Sequence, residues 1–308
     1  MNPFRGILLK ITAVALFVVM SSLIKATADA VPPGEAVFFR AAFSIPVIVL
    51  WLWATGRLAE GLRVSNRLGH LARGVAGTVS VGLRFAGLGL LPLPEVTAIS
   101  FAAPLFTVVF AALFLGERVR LFRYATVAAG LCGVLVILAP RLSFLSGAPL
   151  GQGAALGAVL VLVAAVFAAS AQVFIRRLVR TETTTAIVFW FAVTASLLSL
   201  LTLPFGWRVP GAADAAMLVM AGVTGGLAQV ALTTSYRHAD TSLIASFDYV
   251  SILFATAIGY AVFDEVPSGT TMAGAAIVVA AGVVIILRER QLGLRRRLGQ
   301  EASAPGRT

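Results

Sequence analysis

The sequence is poor in charge, cysteine and histidine, and each shortage excludes a class of protein. Charged residues make up 12% of the 308 residues and hydrophobic residues 59%, whereas soluble domains average roughly 25% and 45–50%. A soluble fold of this size could not hide so much apolar surface, so the surplus must face lipid. A lone cysteine, Cys132, excludes a disulfide framework and a cysteine metal site.

Signatures of catalysis are missing as well. The sequence contains no P-loop, no zinc-binding His-Glu-x-x-His pair and no nucleophile elbow, and its two histidines are His70 and His238. An integral membrane enzyme would need carboxylates, histidines or cysteines clustered at one membrane face. We therefore expect no catalytic residue, no cofactor, no bound metal and no transport powered by ATP.

Long apolar runs predict an all-α polytopic membrane protein, because a spanning helix needs about 20 mostly apolar residues. Ten runs are present, at roughly 7–24, 36–54, 73–92, 96–115, 122–139, 153–175, 184–203, 213–233, 241–262 and 269–287. The first run could pass for a cleaved signal peptide, but Lys25 directly after it argues against cleavage.

The positions of the basic residues predict how the protein is oriented in the membrane. A net charge of +11 could indicate nucleic-acid binding, but these positions argue against that function. With ten spans, nineteen basic residues, including Lys10 and Arg73, lie on the side of both termini, and only Lys25, Arg141 and Arg208 lie opposite. This asymmetry predicts cytoplasmic termini in a bacterial inner membrane, with the cations beside anionic lipid headgroups.

The chain also repeats itself. Glu265 follows Glu117 by 148 residues, and Phe101 aligns with Tyr249 at the same offset. Five spans per copy is an odd number, so the second copy must be inverted, and inverted repeats place a substrate site at their interface near the bilayer midplane. We predict repeats at 7–140 and 153–287, a linker at 141–152 and a basic tail at 288–308.

Several short motifs carry a family resemblance. They are Ala98-Ile-Ser-Phe-Ala-Ala-Pro104, Leu115-Gly-Glu117, Gly130-Leu-Cys-Gly133, Phe247-Asp-Tyr249, Phe263-Asp-Glu265 and Gly274. With these motifs the chain resembles the EamA branch of the drug/metabolite transporter superfamily, which implies a ten-helix carrier. Asp264 departs from the glycine usual there. The segment Val31–Arg40 is similar to riboflavin-uptake members.

Two ionisable residues inside the spans are the first candidates for a substrate site, since such groups cost about 2.5–3.5 kcal/mol on insertion scales. Arg84 lies near the middle of the third span, where it could bind an anionic or carbonyl-bearing group or form a structural ion pair. Asp248 lies at a comparable depth and could pair with Arg84, make a structural hydrogen bond or couple transport to protons.

Aromatic and polar residues complete the candidate site. Tyr249 could stack on a planar substrate, and Trp190 lies deep in the seventh span, away from the interfacial belts. Gln229 and Ser246 lie near the depth of the charged pair. We expect Phe101 to be a packing residue and Arg40, one turn inside the second span, to anchor that span by snorkelling outward.

These observations favour a secondary transporter that moves a small organic metabolite by alternating access, with the lipid bilayer as its environment. Uptake of a vitamin such as riboflavin is the first candidate activity, since it follows the narrower resemblance. Export of amino acids or drugs is the alternative, and a membrane enzyme or a channel is a weaker one. The substrate, the direction and the coupling ion are left open by the sequence, as is the oligomeric state.

Overall fold

The structure is a computed structural model that describes residues 3–115, 121–142, 152–238 and 245–302, and every regular element in these ranges is helical. The α-helices are α1 (Pro3–Ala26), α2 (Pro33–Ala42), α3 (Ser44–Ala54), α4 (Leu58–Leu62), α5 (Arg67–Leu88), α6 (Leu93–Ser100), α7 (Ala102–Leu115), α8 (Leu121–Leu142), α9 (Gln152–Leu178), α10 (Thr184–Ser199), α11 (Ala212–His238), α12 (Val250–Phe263) and α13 (Gly269–Ala302). Two 3-10 segments, Leu200–Phe205 and Ala245–Tyr249, extend α10 and precede α12.

Six helices in the described ranges are long and apolar enough to cross a membrane. They are Phe4–Ala26, Pro33–Ala54, Leu93–Phe114, Gly153–Leu178, Thr184–Phe205 and Ala212–His238. Three shorter apolar helices cover Ala125–Ala139, Phe247–Phe263 and Gly269–Val284. Large apolar side chains such as Leu113 and Leu201 are about 70% exposed on the outside of the bundle, which fits a surface covered by lipid. The predicted class, an all-α polytopic membrane protein, is confirmed.

Two of the apolar crossings are interrupted, and a proline explains each break. Helix α2 ends at Ala42, four residues before Pro46, and α6 ends at Ser100, four residues before Pro104. A proline ring clashes with the carbonyl four residues earlier and removes one backbone donor, so a helix kinks or stops there. The second break puts Phe101 at the joint between α6 and α7.

Three pairs of helices make the most extensive contacts of the bundle: α1 with α11, α5 with α9, and α8 with α13. The last pair approaches closely because Gly133 and Gly274 face each other, and a Cβ on either would meet the other's backbone. A buried apolar cluster ties α1, α5, α6, α9 and α12 together. The helix α5 lies inside this arrangement, although it is more polar than the six crossings above.

The chain reverses tightly after α12 at the residue that departs from the family motif. Asp264 has a φ of 53°, which is the left-handed region, and Pro267 follows it. Glycine adopts this conformation without strain and aspartate does so at some cost. The turn therefore forms with aspartate in place of the usual glycine, and it places Glu265 beside α1.

Candidate functional site

The face of α5 that points into the bundle carries positive charge. Arg73, Gly77 and Arg84 lie on one side of the helix, since steps of four and seven residues return to the same face. Arg73 and Arg84 are about 16 Å apart along the axis at ~1.5 Å per residue. This face therefore brings two cationic side chains to one side of α5.

Arg84 is in the interior, as its position in the third span predicted. One of its terminal nitrogens donates a hydrogen bond to the Ser21 hydroxyl of α1 at 3.1 Å. Its Nε is buried and has no hydrogen-bond partner among the described residues. A guanidinium has five donors, so Arg84 retains donors for another ligand.

Arg40 does not snorkel outward, so the anchoring role expected for it is wrong. Its Nε is buried and unpartnered within the described part of the chain, and its guanidinium lies 5.7 Å from the centre of the Phe191 ring of α10. Arg40 and Arg84 are near enough to repel each other electrostatically. The reason is that α2 and α10 pack together and turn the Arg40 side chain toward α5.

Arg73 completes this cluster, although the sequence placed it with the flanking cytoplasmic residues. Its guanidinium stacks on the same Phe191 ring at 3.5 Å from the ring centre. The Nε and one terminal nitrogen are buried without partners in the described structure, and Arg40 repels it. Gly77 leaves space for it, because a Cβ there would meet the Arg73 guanidinium and Phe191. We call Arg40, Arg73 and Arg84 the arginine cluster.

Asp248 pairs with a different cation from the one proposed. Its carboxylate lies 2.7 Å from the Lys10 ammonium of α1, so the suggested pairing with Arg84 is not what the structure forms. Lys10 is 2% exposed and Asp248 is 47% exposed, and the ammonium also lies 5.7 Å from the centre of the Tyr236 ring. Lys10 is thus packed inside the protein and ion-paired, which its place among the flanking basic residues did not predict.

Lys25 and Glu265 form a second ion pair that the sequence did not foresee. Their charged atoms are 2.8 Å apart and their side chains are 13% and 14% exposed. Lys25 also donates to the backbone carbonyls of Leu88 and Leu91, and Glu265 accepts from the Leu93 amide. Both lysines of α1 are therefore fixed to the segment that contains α12. We call the two pairs the lysine pairs.

Tyr249 meets Phe101, its repeat-related partner, with ring centres 4.7 Å apart. The Tyr249 hydroxyl occupies the space that a side chain at position 282 would need, so Gly282 makes room for it. Each ring covers part of the other, which leaves less aromatic surface for a planar substrate than the sequence suggested. Ser246 belongs to the same 3-10 segment, but its side chain lies outside the described part of the structure.

No hydrogen bond or ring contact joins Trp190 or Gln229 to the arginine cluster within the described residues. Trp190 lines a cavity of about 520 Å³ together with Arg67, His70 and Thr194, at the end of α5 that is one turn from Arg73. Its indole nitrogen donates to the Leu62 carbonyl. Gln229 is half-buried in α11, one turn after Gly225. A Cβ added at Gly225 would lie 3.7 Å from the Arg40 Nε.

Among the described residues, no group of three or more histidines, cysteines and acids could hold a metal ion. The site thus consists of guanidinium donors, two lysine–carboxylate pairs and aromatic rings. A helical bundle that faces lipid outside and carries such charges inside defines the class of polytopic membrane carriers.

The chain belongs to the EamA-like transporter family, whose model matches residues 4–139 and 155–288. It is 32% identical to the pseudopaline exporter of Pseudomonas aeruginosa over 91% of this chain and 95% of that protein. Identity to a riboflavin transporter of Rhizobium johnstonii is 29%, over 84% and 83% of the two chains. Identity to an S-adenosylmethionine uptake transporter of Rickettsia felis is 26%, over 86% and 87%.

A crystal structure of another protein shares the fold. It aligns with 93% of this chain and 98% of its own with a TM-score of 0.65, at 24% sequence identity. The family and these relatives are transporters of small molecules, which supports the predicted transport class and a multi-pass membrane location. Uptake and export both occur among the relatives.

Sequence reasoning missed Arg40, Arg73 and Lys10 as interior charges and did not single out Phe191. The spacing of Arg73 and Arg84, three turns apart on one face of α5, was a signal that could have identified Arg73. No signal of that kind exists for Arg40 or Phe191, which reach the site from α2 and α10.

Proposed function

We propose that the protein is a secondary transporter that moves a small organic metabolite by alternating access, through ten membrane-crossing segments arranged as two inverted repeats. The segments are α1, α2 with α3, α5, α6 with α7, α8, α9, α10 with its 3-10 extension, α11, the 3-10 segment with α12, and α13. The family's activity supports the transport class, and the arrangement of the helices supports the repeat.

The pairing of the helices is the observation that carries this proposal. If the first five segments correspond in order to the last five, α1 is equivalent to α9, α5 to α11 and α8 to α13. The contact of α1 with α11 is then equivalent to the contact of α9 with α5. The contact of α8 with α13 is equivalent to itself. These are the three most extensive pairs of the bundle. Phe101 and Tyr249, equivalent in the two repeats, also contact each other. An approximate two-fold relation of this kind supports a rocking motion of one half against the other.

The repeats would occupy residues 7–140 and 153–287, in agreement with the two matches of the family model at 4–139 and 155–288. Most of the linker 141–152 lies outside the described residues. In the tail 288–308, the side chains from residue 289 onward also lie outside the described part of the structure. The helix α13 continues through the start of this tail to Ala302.

The orientation is part of the same proposal. Excess arginine and lysine on one side supports cytoplasmic termini in an inner membrane. Lys10, Arg73 and Lys25 lie in the interior of the protein, so we leave them out of the count of basic residues on the two membrane sides. Two of them come from the nineteen on the side of the termini, and one from the three on the opposite side. The asymmetry is therefore still large, and the proposal is unchanged.

For the direction we propose export, supported by the 32% identity to an exporter over nearly the full length of both chains. Vitamin uptake is the second candidate, supported by the similarity to riboflavin transporters. Labelled riboflavin, S-adenosylmethionine and amino acids would be tested in proteoliposomes for loss from and entry into the vesicles. Empty liposomes are the control, and no protein-dependent flux of any solute in a broader metabolite panel would reject the proposed transport function.

Asp248 is the residue we propose for proton coupling, because protonation of its carboxylate would break the ion pair that holds α1 against the 3-10 segment. Flux should follow an imposed pH gradient in the wild type. It should ignore the gradient in a Lys10→Met/Asp248→Asn double variant, which removes both charges together. Asp214→Asn, at the start of α11, is the matched control. Gradient-driven flux in the double variant would remove Asp248 from the coupling mechanism.

A further inference from the structure

The arginine cluster is positive charge that the described structure does not compensate. Each of Arg40, Arg73 and Arg84 has at least one buried guanidinium nitrogen without a hydrogen-bond partner. No salt bridge within the described residues involves any of the three. Buried polar groups of folded proteins are normally satisfied, so a buried group without a partner in the protein is expected to meet water, an ion or a ligand.

Three carboxylates of the described interior have partners other than these arginines. Asp248 pairs with Lys10 and Glu265 pairs with Lys25. Glu35, on the same helix as Arg40, accepts a hydrogen bond from the Arg208 amide. These acids, and the buried Glu182 that lies 3.7 Å from His70, make no salt bridge with the three arginines in the described part of the chain.

The backbone positions of the three arginines define a track rather than a point. Arg73 and Arg84 are separated by three turns of α5, and Arg40 of α2 is electrostatically coupled to both. The Arg73 guanidinium lies 3.5 Å from the centre of the Phe191 ring, and its Nε and one terminal nitrogen have no hydrogen-bond partner in the described structure. The cavity of about 520 Å³ lies beside the Arg73 end of this track.

We propose that the arginine cluster binds the transported solute, and that this solute is a small organic anion with two or more oxyanion groups, either carboxylates or phosphates. Forked guanidinium donors match the two oxygens of such groups, and two or more separated groups are needed to contact a track of this length. This substrate class rests on the proposed transport function, but the binding it requires can be measured without transport.

The test is the thermal stability of the full-length protein in detergent, at constant ionic strength. Citrate probes carboxylates, fructose 1,6-bisphosphate probes phosphates, acetate is the single-charge control and sorbitol the neutral one, each at low millimolar concentration. We expect a rise in Tm of a few degrees with citrate, the bisphosphate or both, since a ligand that binds only the folded state stabilises it. Which of the two acts identifies the oxyanion, whereas a rise with neither, or an equal rise with acetate, overturns the proposal.

Arginine variants separate a binding site from a structural role. Arg40→Gln, Arg73→Gln and Arg84→Gln should each weaken binding of the active anion about tenfold or more, from the loss of a charged hydrogen bond. Arg63→Gln, in an exposed position, should bind as the wild type does. Without ligand, Arg40→Gln should be at least as stable as the wild type, because it relieves repulsion. Lower ligand-free stability together with unchanged anion binding would show a structural cluster and reject the proposal.

The two proposals fail in different ways. Anion-dependent stabilisation without any flux in proteoliposomes would reject the transport function and keep the site. Flux of a neutral or cationic metabolite that is unchanged in the three arginine variants would keep the transport function and reject the anionic substrate.

Discussion

The lysines and the arginines in the interior of this protein have opposite surroundings. Lys10 and Lys25, on α1, each lie within 2.8 Å of a carboxylate. Arg40, Arg73 and Arg84, on α2 and α5, make no salt bridge in the described part of the chain, and Arg40 lies close enough to each of the other two to repel it. The lysines are neutralised by acids, whereas two of the three arginines lie against the Phe191 ring.

Under the proposed binding role, the arginines meet the solute, whereas the lysine pairs hold α1 in place. A paired charge fixes one helix against another, because loss of either partner leaves the other charge uncompensated. An unpaired charge costs stability until an anion arrives, and proteins keep such groups where function requires them. Substitutions in the two sets should therefore change stability in opposite directions.

The largest effect is expected at Lys25. Lys25→Met removes three contacts of the ammonium and leaves Glu265 without its cation, so we expect the free energy of unfolding to fall by about 3 kcal/mol. Denaturant titration of the detergent-purified protein measures this. Lys25→Arg, which keeps the charge, should recover most of the loss. Wild-type stability in Lys25→Met would break the contrast between the two sets.

The Lys10–Asp248 pair should show an asymmetric response. Asp248→Asn leaves the buried Lys10 charge alone, whereas Lys10→Met leaves an Asp248 side chain that is 47% exposed. We expect losses of about 2–3 kcal/mol for the first variant and about 1 kcal/mol for the second, and partial recovery in the double variant. The same titration tests the order, and equal losses would mean that both groups are equally solvated.

Phe191→Leu tests how the arginines are held. The substitution removes the ring beneath Arg73 and beside Arg40, and we expect it to lower stability by about 0.5–2 kcal/mol. Phe110→Leu is the control, because Phe110 contacts another ring, Phe114, and none of these arginines. A larger loss in the control would show that the ring acts by packing alone.

The smallest effect concerns the turn that positions Glu265. Asp264→Gly relieves a left-handed backbone conformation at the cost of more freedom in the unfolded chain, so we expect a gain of less than about 1 kcal/mol. Asp264→Ala should instead lower stability, since alanine disfavours the same φ. Thermal unfolding of the two variants and the wild type shows whether each substitution raises or lowers Tm.

Much of the architecture was predictable, because it depends on residues that are near in sequence. Apolar runs predict crossings by length, and the prolines Pro46 and Pro104 account for the breaks four residues earlier. The alignment of Phe101 with Tyr249 was visible as a repeat. Arg84 stood out since it is far from either end of its apolar run, where a charge cannot easily reach water.

The sequence by itself determined the membrane class, the family and the presence of Arg84 in the interior, since composition, run length and local motifs are properties of neighbouring residues. Only the tertiary structure decided which charges meet. Position in the sequence places Lys10 and Arg73 among the residues that flank the spans, and it predicts that Arg40 snorkels outward. The packing of α1 against the segment that contains α12 brings carboxylates to the two lysines. The packing of α2 and α5 against α10 brings the Phe191 ring to Arg40 and Arg73. The sequence cannot show such contacts, because partners in a helical bundle come from helices that are distant in the chain.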